Sequence, residues 1–150
     1  MSRLVVAPLD VAGLLASVGA PDRGGVASFV GVVRDPHGGR PVVELEYTAY
    51  EAMADDALAA IVAEAEGRWP VAVAVRHRLG VLAIGEAAVV VAVGGAHRDE
   101  TFAACRYVIE ELKRRVPIWK RERYADGTEA WVDPTTPGGV APASGSGPRS

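Results

Sequence analysis

The sequence contains a single cysteine and no excess of positive charge. Cys105 is the only cysteine among 150 residues, and the net charge at pH 7 is −3. One cysteine excludes an internal disulfide and any metal cluster built from cysteines. General binding of nucleic acid requires an overall basic surface, which this acidic chain lacks. We therefore expect no nucleic-acid partner, and any basic patch must be local.

Long hydrophobic runs and the common ligand-binding motifs are also absent. No apolar run is long enough to cross a bilayer, and the first ten residues lack a secretory core followed by a cleavage site. We therefore expect a cytoplasmic location and no membrane partner. The glycine-rich phosphate loop, the dinucleotide fingerprint and the nucleophile elbow are missing. Three scattered histidines without helical pairing favour no metal site and no cofactor, with His37 and His77 in structural or surface positions.

The composition and the local patterns indicate one α+β domain. Hydrophobic residues make up 49% of the chain, which is enough for a packed core. The predicted order is α-β-β-α-β-β-α-β-β, and hairpins between helices favour a mostly antiparallel sheet over a doubly wound parallel one. The predicted helices cover 11–18, 51–69 and a segment ending near 115, and the predicted strands cover 24–34, 42–50, 71–79, 87–94, 118–124 and 129–132.

Two further expectations concern the connections. Strands 24–34 and 42–50 should form a hairpin with a long, turn-rich loop. The domain should span 1–133, because the composition then changes to proline, glycine, serine and alanine, and we expect 134–150 to be a disordered tail.

Each long helix has an apolar stripe that we predict to face the core. The stripe of the 51–69 helix contains Met53, Ala57, Ile61 and Ala65. The stripe of the last helix contains Phe102, Cys105, Ile109 and Leu112. A cysteine on such a stripe behaves as a small hydrophobe, so we predict that Cys105 is a core residue and not a nucleophile.

The segment 110–127 carries two lysines on either side of a proline. Pro117 cannot continue a helix and pushes the residue before it out of helical geometry, so Lys113 and Lys120 belong to a helix and a strand joined by a sharp turn. If Trp119 faces the core, Lys120 points to the other face of its strand. The two amines can then converge on one site. A plain alternative is a solvated basic face that complements the helix dipole.

Basic residues also stand at two other element ends. Arg34 closes the first long strand, and His97 and Arg98 lie where a strand gives way to a helix, a position whose free N–H groups attract anions. Together with Lys113 and Lys120 they predict a cationic pocket for a small phosphorylated or carboxylated ligand. Three function classes fit such a pocket: an enzyme acting on an anion, a non-catalytic module that binds an anion or peptide, and a phosphoesterase, which the lack of clustered metal ligands disfavours.

Four segments resemble the large, catalytic subunit of molybdopterin synthase in matching order. They read FVGVVRD (29–35), LEYTAYEAMA (45–54), AHRDETFAACRY (96–107) and LKRRVPIWKRE (112–122). The resemblance covers roughly 24–132. It implies an α/β-hammerhead-like α+β fold with a mostly antiparallel sheet and two long helices.

The resemblance also implies a function and partners. The chain would form a homodimer, and each copy would bind a small ubiquitin-like sulfur-carrier subunit with a thiocarboxylate on its C-terminal Gly-Gly, giving a heterotetramer. Sulfur would pass to cyclic pyranopterin monophosphate and form the molybdopterin dithiolene, a sulfurtransferase step in molybdenum cofactor biosynthesis. A sulfur carrier within this chain would need an exposed, activated cysteine, so delivery by a partner agrees with the predicted core position of Cys105.

The resemblance places the family's functional residues on nine positions. Lys113 and Lys120 would be catalytic, polarising the thiocarboxylate and moving protons, and a lysine crowded by other cations loses its proton more easily. The substrate-binding positions would be Arg34, His97, Arg98, Arg121, Glu122, Val32 and Val33. Guanidinium groups suit the phosphate, because they bind it through two parallel hydrogen bonds.

Overall fold

The computed structural model describes residues 2–35 and 41–132. His37, most of the predicted turn-rich loop and the predicted tail 134–150 lie outside the described residues. The helices are α1 (Val11–Ser17), α2 (Glu51–Arg68) and α3 (Arg98–Arg115). The strands are β1 (Leu4–Val5), β2 (Gly25–Val32), β3 (Val42–Ala49), β4 (Val71–Arg78), β5 (Gly80–Ala83), β6 (Ala87–Gly95), β7 (Ile118–Tyr124) and β8 (Glu129–Val132).

The strands form two four-stranded sheets. Their orders are β1-β4-β6-β2 and β5-β3-β7-β8. Every pairing is antiparallel except that of β1 with β4. The predicted α+β class with mostly antiparallel strands and two long helices is confirmed, although the strands are divided between two sheets. Two short strands, β1 and β5, were not predicted.

The predicted hairpin of strands 24–34 and 42–50 is wrong. β2 pairs with β6, from Gly25 opposite Gly95 to Val32 opposite Ala87, while β3 pairs with β5 and β7 in the other sheet. β6 is buried along almost its whole length, so the backbone groups on both of its edges need strand partners, and β2 and β4 supply them. The wet-faced β3 instead matches its glutamates to the arginines of β7.

The core lies on both faces of β6. Val89, Val91 and Val93 pack with α2 and α3 on one face, whereas Val90 and Ala92 pack with α1 on the other. Because α3 follows β6 and runs back across the sheet, its last turn lies near the Val32 end of β2. The core therefore fixes where the end of α3 stands relative to the first sheet.

The predicted helix stripes are only partly correct. Cys105 is buried, as predicted, but Phe102 is 64% exposed and Met53 is 61% exposed. The predicted stripes were chosen to contain the large apolar side chains. The structure instead buries the small Ala54 and Ala104 completely. The buried sets are Ala54, Leu58, Ile61, Val62 and Ala65 on α2, and Thr101, Ala104, Cys105, Val108 and Leu112 on α3.

A polar clamp joins the last turn of α3 to α2. The two terminal nitrogens of Arg115 donate to the two carboxylate oxygens of Glu64 at 2.7 and 2.9 Å, and the Tyr107 hydroxyl donates to Glu64 at 2.7 Å. Arg115 also pairs with Glu111 at 3.1 Å. This clamp holds the helix end just before the Pro117 turn.

The clamp predicts a specific acid sensitivity. Hydrogen bonds from Arg115 and Tyr107 lower the pKa of Glu64 from 4.5 to about 2. A carboxyl whose folded-state pKa is depressed stabilises the fold above its unfolded value, and that contribution is lost as the pH falls from about 4.5 towards about 2. We expect Glu64→Gln to lower Tm near neutral pH and to flatten the fall of Tm on acidification, measured by thermal unfolding across this range.

The matched control is Glu110→Gln, which removes a surface pair with the exposed Arg106 on the same helix. It should leave the acid limb of the Tm curve close to that of the wild type, because exposed pairs contribute little. An acid limb in Glu64→Gln as steep as in the wild type would contradict the role of the clamp.

Candidate functional site

A pocket of about 530 Å³ opens between the two sheets, at the end of α3. β2 supplies an apolar wall that includes Val32. The remaining wall is polar and comes from both sheets and α3. Its titratable residues are Arg34, Tyr47, His77, Lys113, Lys120 and Glu122. The pocket therefore combines one apolar side with a concentration of positive charge.

The Pro117 corner brings Lys113 and Lys120 into this pocket. α3 ends at Arg115, Val116 is extended, and β7 begins at Ile118. Trp119 and Lys120 lie on opposite faces of β7, but the expectation that Trp119 faces the core is wrong. Ile118, on the face of Lys120, lies in the main core, whereas Trp119 is 6% exposed on the other face, where its ring contacts that of Tyr50. The register of β7 places Lys120 opposite Tyr47 of β3. The predicted convergence of the two amines is confirmed as geometry.

These two residues are the only lysines in the chain. Every other permanently cationic side chain is an arginine, including those of the clamp and of the surface pairs. Lysine and arginine provide similar charge, but only lysine can release its proton within the range of protein chemistry. Both lysines of the chain, and so both side-chain amines that can exchange a proton, line this pocket.

The two lysines have different surroundings in the pocket. Burial by the surrounding protein, followed by the charge of Lys120, lowers the pKa of Lys113 below its usual 10.5. Lys120 has a local counter-ion, because its Nζ lies 3.7 Å from Oε2 of Glu122. The Tyr124 hydroxyl donates to the other oxygen of Glu122 at 2.9 Å. Lys113 thus releases its proton more easily than an ordinary lysine does, and Glu122 is the ion-pair partner of Lys120.

Two lining residues, Tyr47 and His77, had no predicted role at a site. Burial, and then the nearby Glu122 carboxylate, raise the pKa of Tyr47 to about 12. Burial lowers the pKa of His77 to about 4; a bond to the Arg78 carbonyl opposes this change, and the charge of Lys113 adds to it. His77 was expected in a structural or a surface position; it is buried, and its place beside the pocket was not predicted. Its approach to the pocket depends on sheet pairing, which a local pattern does not show.

The remaining predicted residues near the pocket occupy different positions. Arg34, Val32 and Glu122 line it. Val33 is buried, and its N–H and carbonyl bond to the Glu86 carbonyl and the Gly85 N–H at 2.9 and 2.7 Å. It therefore fixes the backbone beside Arg34.

Arg121 lies on the other face of β7. It pairs with Glu46 and with Glu129, and its guanidinium lies 5.7 Å from the centre of the Trp131 ring. Alternation along the strand separates it from Lys120 and Glu122. Its contact with substrate stays a prediction, and its observed partners are structural.

His97 and Arg98 stand at the opposite end of α3 from Lys113. Arg98 is the first residue of the helix, so fifteen residues, or about 22 Å along the axis, separate it from Lys113. Both residues are exposed. One copy of the chain does not bring them to its own pocket, and their binding of substrate stays a prediction.

The described residues offer no group of three or more His, Cys, Asp or Glu side chains that could hold a metal ion. Within residues 2–35 and 41–132, no helix qualifies as a membrane span.

Comparisons of sequence agree on one family. A family model described as MoaE protein matches residues 4–115. The molybdopterin synthase catalytic subunit of Nostoc sp. is 43% identical over 131 residues, covering 86% of this chain and 79% of the relative. The molybdopterin synthase catalytic subunit 1 of Mycobacterium tuberculosis is 47% identical over 131 residues, covering 87% and 88%.

Solved structures have the same fold. The crystal structure of molybdopterin synthase from Staphylococcus aureus superposes with a TM-score of 0.82 at 35% identity, covering 87% of this chain and 97% of that one. A complex of subunits 1 and 2 of the molybdopterin-converting factor from Helicobacter pylori contains a chain with a TM-score of 0.70 at 24% identity, covering 84% and 86%, a likeness of fold. The chain belongs to the MoaE family, that of the molybdopterin synthase catalytic subunits.

Proposed function

We propose that this protein is a sulfurtransferase that forms the dithiolene of molybdopterin. Sulfur comes from the thiocarboxylate on the C-terminal Gly-Gly of a small ubiquitin-like subunit and passes to cyclic pyranopterin monophosphate. The observation that carries the proposal is the meeting of the chain's only two lysines in one pocket beside Arg34. Membership of the family supports it.

The basic groups suit the charges of this reaction. The cyclic phosphate and the thiocarboxylate are both anions, and Arg34 offers the planar donor set that fits phosphate. Once the thiocarboxylate sulfur has replaced an oxygen on a substrate carbon, water adds to the acyl carbon, and the negative charge that builds on the acyl oxygen is stabilised by an ammonium group already in place. The acyl carbon–sulfur bond then breaks, the sulfur stays on the substrate and the small subunit leaves as a carboxylate. Lys113, with its lowered pKa, exchanges protons with the reacting groups, while the ammonium of Lys120 is positioned by its ion pair with Glu122.

The position of Cys105 supports delivery of sulfur by a partner. Cys105 is 7% exposed in the core on α3, and burial raises the pKa of its thiol. It does not line the pocket formed by the lysines. A buried thiol with a raised pKa forms little thiolate and is a poor sulfur carrier. A small subunit is therefore part of the proposal, and the Helicobacter pylori chain of the same fold was solved in a two-subunit complex.

A homodimer formed along β2 accounts for His97 and Arg98. β2 is an edge strand, and it exposes Val26, Phe29, Val30 and Val32. Exposed apolar edges of this kind favour pairing with another strand. Antiparallel pairing of two β2 strands about a two-fold axis sets the Gly25 end of one copy against the Val32 end of the other.

Distance supports this arrangement. The eight residues of β2 extend about 23 Å from Gly25 to Val32, which is close to the length of α3 between Arg98 and Lys113. The start of α3 lies at the Gly25 end of β2, because Gly25 is opposite Gly95. His97 and Arg98 of one copy then reach the pocket of the other.

Lys120→Ala is expected to reduce dithiolene formation by about 100-fold or more, because a preplaced cation is lost. The assay mixes this protein, a thiocarboxylated small subunit and cyclic pyranopterin monophosphate without added metal, and follows the product by mass spectrometry. Arg106→Ala on the exposed face of α3 is the control. Near-normal turnover in Lys120→Ala would contradict its role, and a stable wild-type complex without product would favour a non-catalytic binding module.

Lys113→Arg tests proton exchange separately from charge. Because the pKa of Lys113 lies below 10.5, the pH–rate profile of the wild type should show an ionisation below the usual lysine range. Arginine keeps the charge but cannot release a proton. The variant should therefore bind the cyclic phosphate of the substrate as the wild type does, lose dithiolene formation, and lack this ionisation in its pH–rate profile. Arg106→Lys is the matched exchange outside the pocket. Wild-type turnover with an unchanged profile in Lys113→Arg would assign Lys113 to charge alone.

Mixed dimers test whether the pocket is shared. Lys120→Ala and the double variant His97→Ala with Arg98→Ala should each be nearly inactive alone. In a mixed dimer, one pocket receives Lys120 from one copy and His97 and Arg98 from the other, so activity should return to a substantial fraction of the wild-type value. Each copy carries a different affinity tag, and mixed dimers are isolated by two purifications. No recovery in an isolated mixed dimer would place all these residues in one copy's site.

A further inference from the structure

We propose that His77 and Tyr47 form an uncharged hydrogen-bonding wall that orients the pterin ring in the lysine pocket. His77 accepts a hydrogen bond from a ring N–H through Nε2, and Tyr47 donates its hydroxyl proton to a ring acceptor. The proposal rests on the proposed function, because it concerns the orientation of that substrate.

One hydrogen bond fixes the chemistry of His77. Its Nδ1 lies 2.8 Å from the carbonyl oxygen of Arg78. A carbonyl can only accept, so Nδ1 carries the proton and donates. His77 is 4% exposed and borders the pocket. A buried ring beside Lys113 stays neutral, since burial is the main cause of its lowered pKa. Nε2 is then a lone-pair acceptor in a pocket that is otherwise rich in donors.

The charged groups around His77 oppose its protonation. Lys113 on α3 approaches it directly enough to lower its pKa further. Arg34 after β2 and Lys120 on β7 add two more positive charges to the same pocket, and Glu122 is engaged with Lys120 and Tyr124. A proton on His77 would place a buried cation among three others.

Tyr47 complements His77 on the neighbouring sheet. The two rings meet edge to face, with centroids 5.1 Å apart. The pKa of Tyr47 is raised to about 12, so its hydroxyl remains protonated at any physiological pH. Within the described residues this hydroxyl has no hydrogen-bond partner, and it borders the same pocket. A protonated phenol beside a neutral imidazole provides one donor and one acceptor, both without charge.

This wall discriminates between the two ends of the proposed substrate. The phosphate is an anion without N–H groups, and it is attracted to Arg34 and the lysines. The ring of a reduced pterin is largely uncharged and carries N–H donors as well as acceptors. An anion placed against Nε2 would meet a lone pair and leave the imidazole without a donor, so the reversed orientation is disfavoured.

The test compares two ligands on the full-length protein. Binding of cyclic pyranopterin monophosphate and of inorganic phosphate is measured anaerobically by calorimetry for the wild type, His77→Asn, His77→Gln and Tyr47→Phe. The asparagine amide keeps a donor for the Arg78 carbonyl and removes the acceptor at the Nε2 position, whereas glutamine reaches that position. Thermal unfolding of each variant reports its folding.

We expect His77→Asn to weaken binding of the pterin by about tenfold, with Tyr47→Phe causing a similar loss. Phosphate binding should stay at the wild-type level in both, and His77→Gln should recover much of the pterin affinity. Wild-type pterin affinity in both His77→Asn and Tyr47→Phe would overturn the proposal, as would an equal loss for pterin and phosphate. If His77→Asn does not fold, Tyr47→Phe decides by the same comparison.

The wild type separates this proposal from sulfur transfer. Pterin binding without dithiolene formation, in the presence of the thiocarboxylated subunit, would contradict the proposed reaction, and the variants would still decide the orienting role. A wild-type protein that does not bind the pterin would overturn both.

Discussion

Helix α3 must stop before Pro117, because proline has no N–H to donate and its ring excludes a helical turn before it. The chain turns at Val116 and enters β7 at Ile118, so an ammonium from the last helical turn faces one from the strand. Ile118 packs into the main core, and alternation places Lys120 on the same face of β7. The clamp of Arg115 on Glu64 keeps the helix end in place. A single helix would have carried its lysines along one side without closing a pocket.

The basic residues on the two faces of β7 have different partners. On one face, Lys120 and Glu122 border the pocket. On the other, Arg121 and Arg123 pair with glutamates of β3 and β8, which joins three strands of the second sheet. Exposed pairs of this kind add modestly to stability, and several together fix strand register. On β7, therefore, the arginines pair across the sheet and the lysine lines the pocket.

The parts of the site that the sequence predicts are those set by local chemistry. Three features of the site can be read from neighbours within a few residues: the turn at Pro117, the alternation of Trp119 with Lys120, and the helix that carries Lys113. Arg34 was identified by its place at the end of a strand. That prediction did not depend on which strand is its neighbour, so it holds although β2 pairs with β6 and not with β3. Local signals of this kind do not depend on the arrangement of the sheets.

What the sequence did not show depends on distant pairings. Tyr47 meets His77 because β3 and β4 lie in different sheets that converge at the pocket, and no periodicity contains that relation. The large Phe102 suggested a buried stripe, but close helix packing selected Ala104 instead. The distance between His97 and Lys113 follows from the length of α3, and in the proposed dimer a second copy of the chain brings its His97 to the pocket.

The restriction of lysine to two positions has a consequence outside catalysis. Acetylation, ubiquitin attachment and most amine-reactive labels act on lysine side chains. On this chain their only side-chain targets are Lys113 and Lys120, which border the pocket. Elsewhere the surface carries arginine, which those reactions leave alone. A substrate or a docked tail in the pocket would therefore shield the side-chain amines from such chemistry, and the extent of labelling would report how full the pocket is.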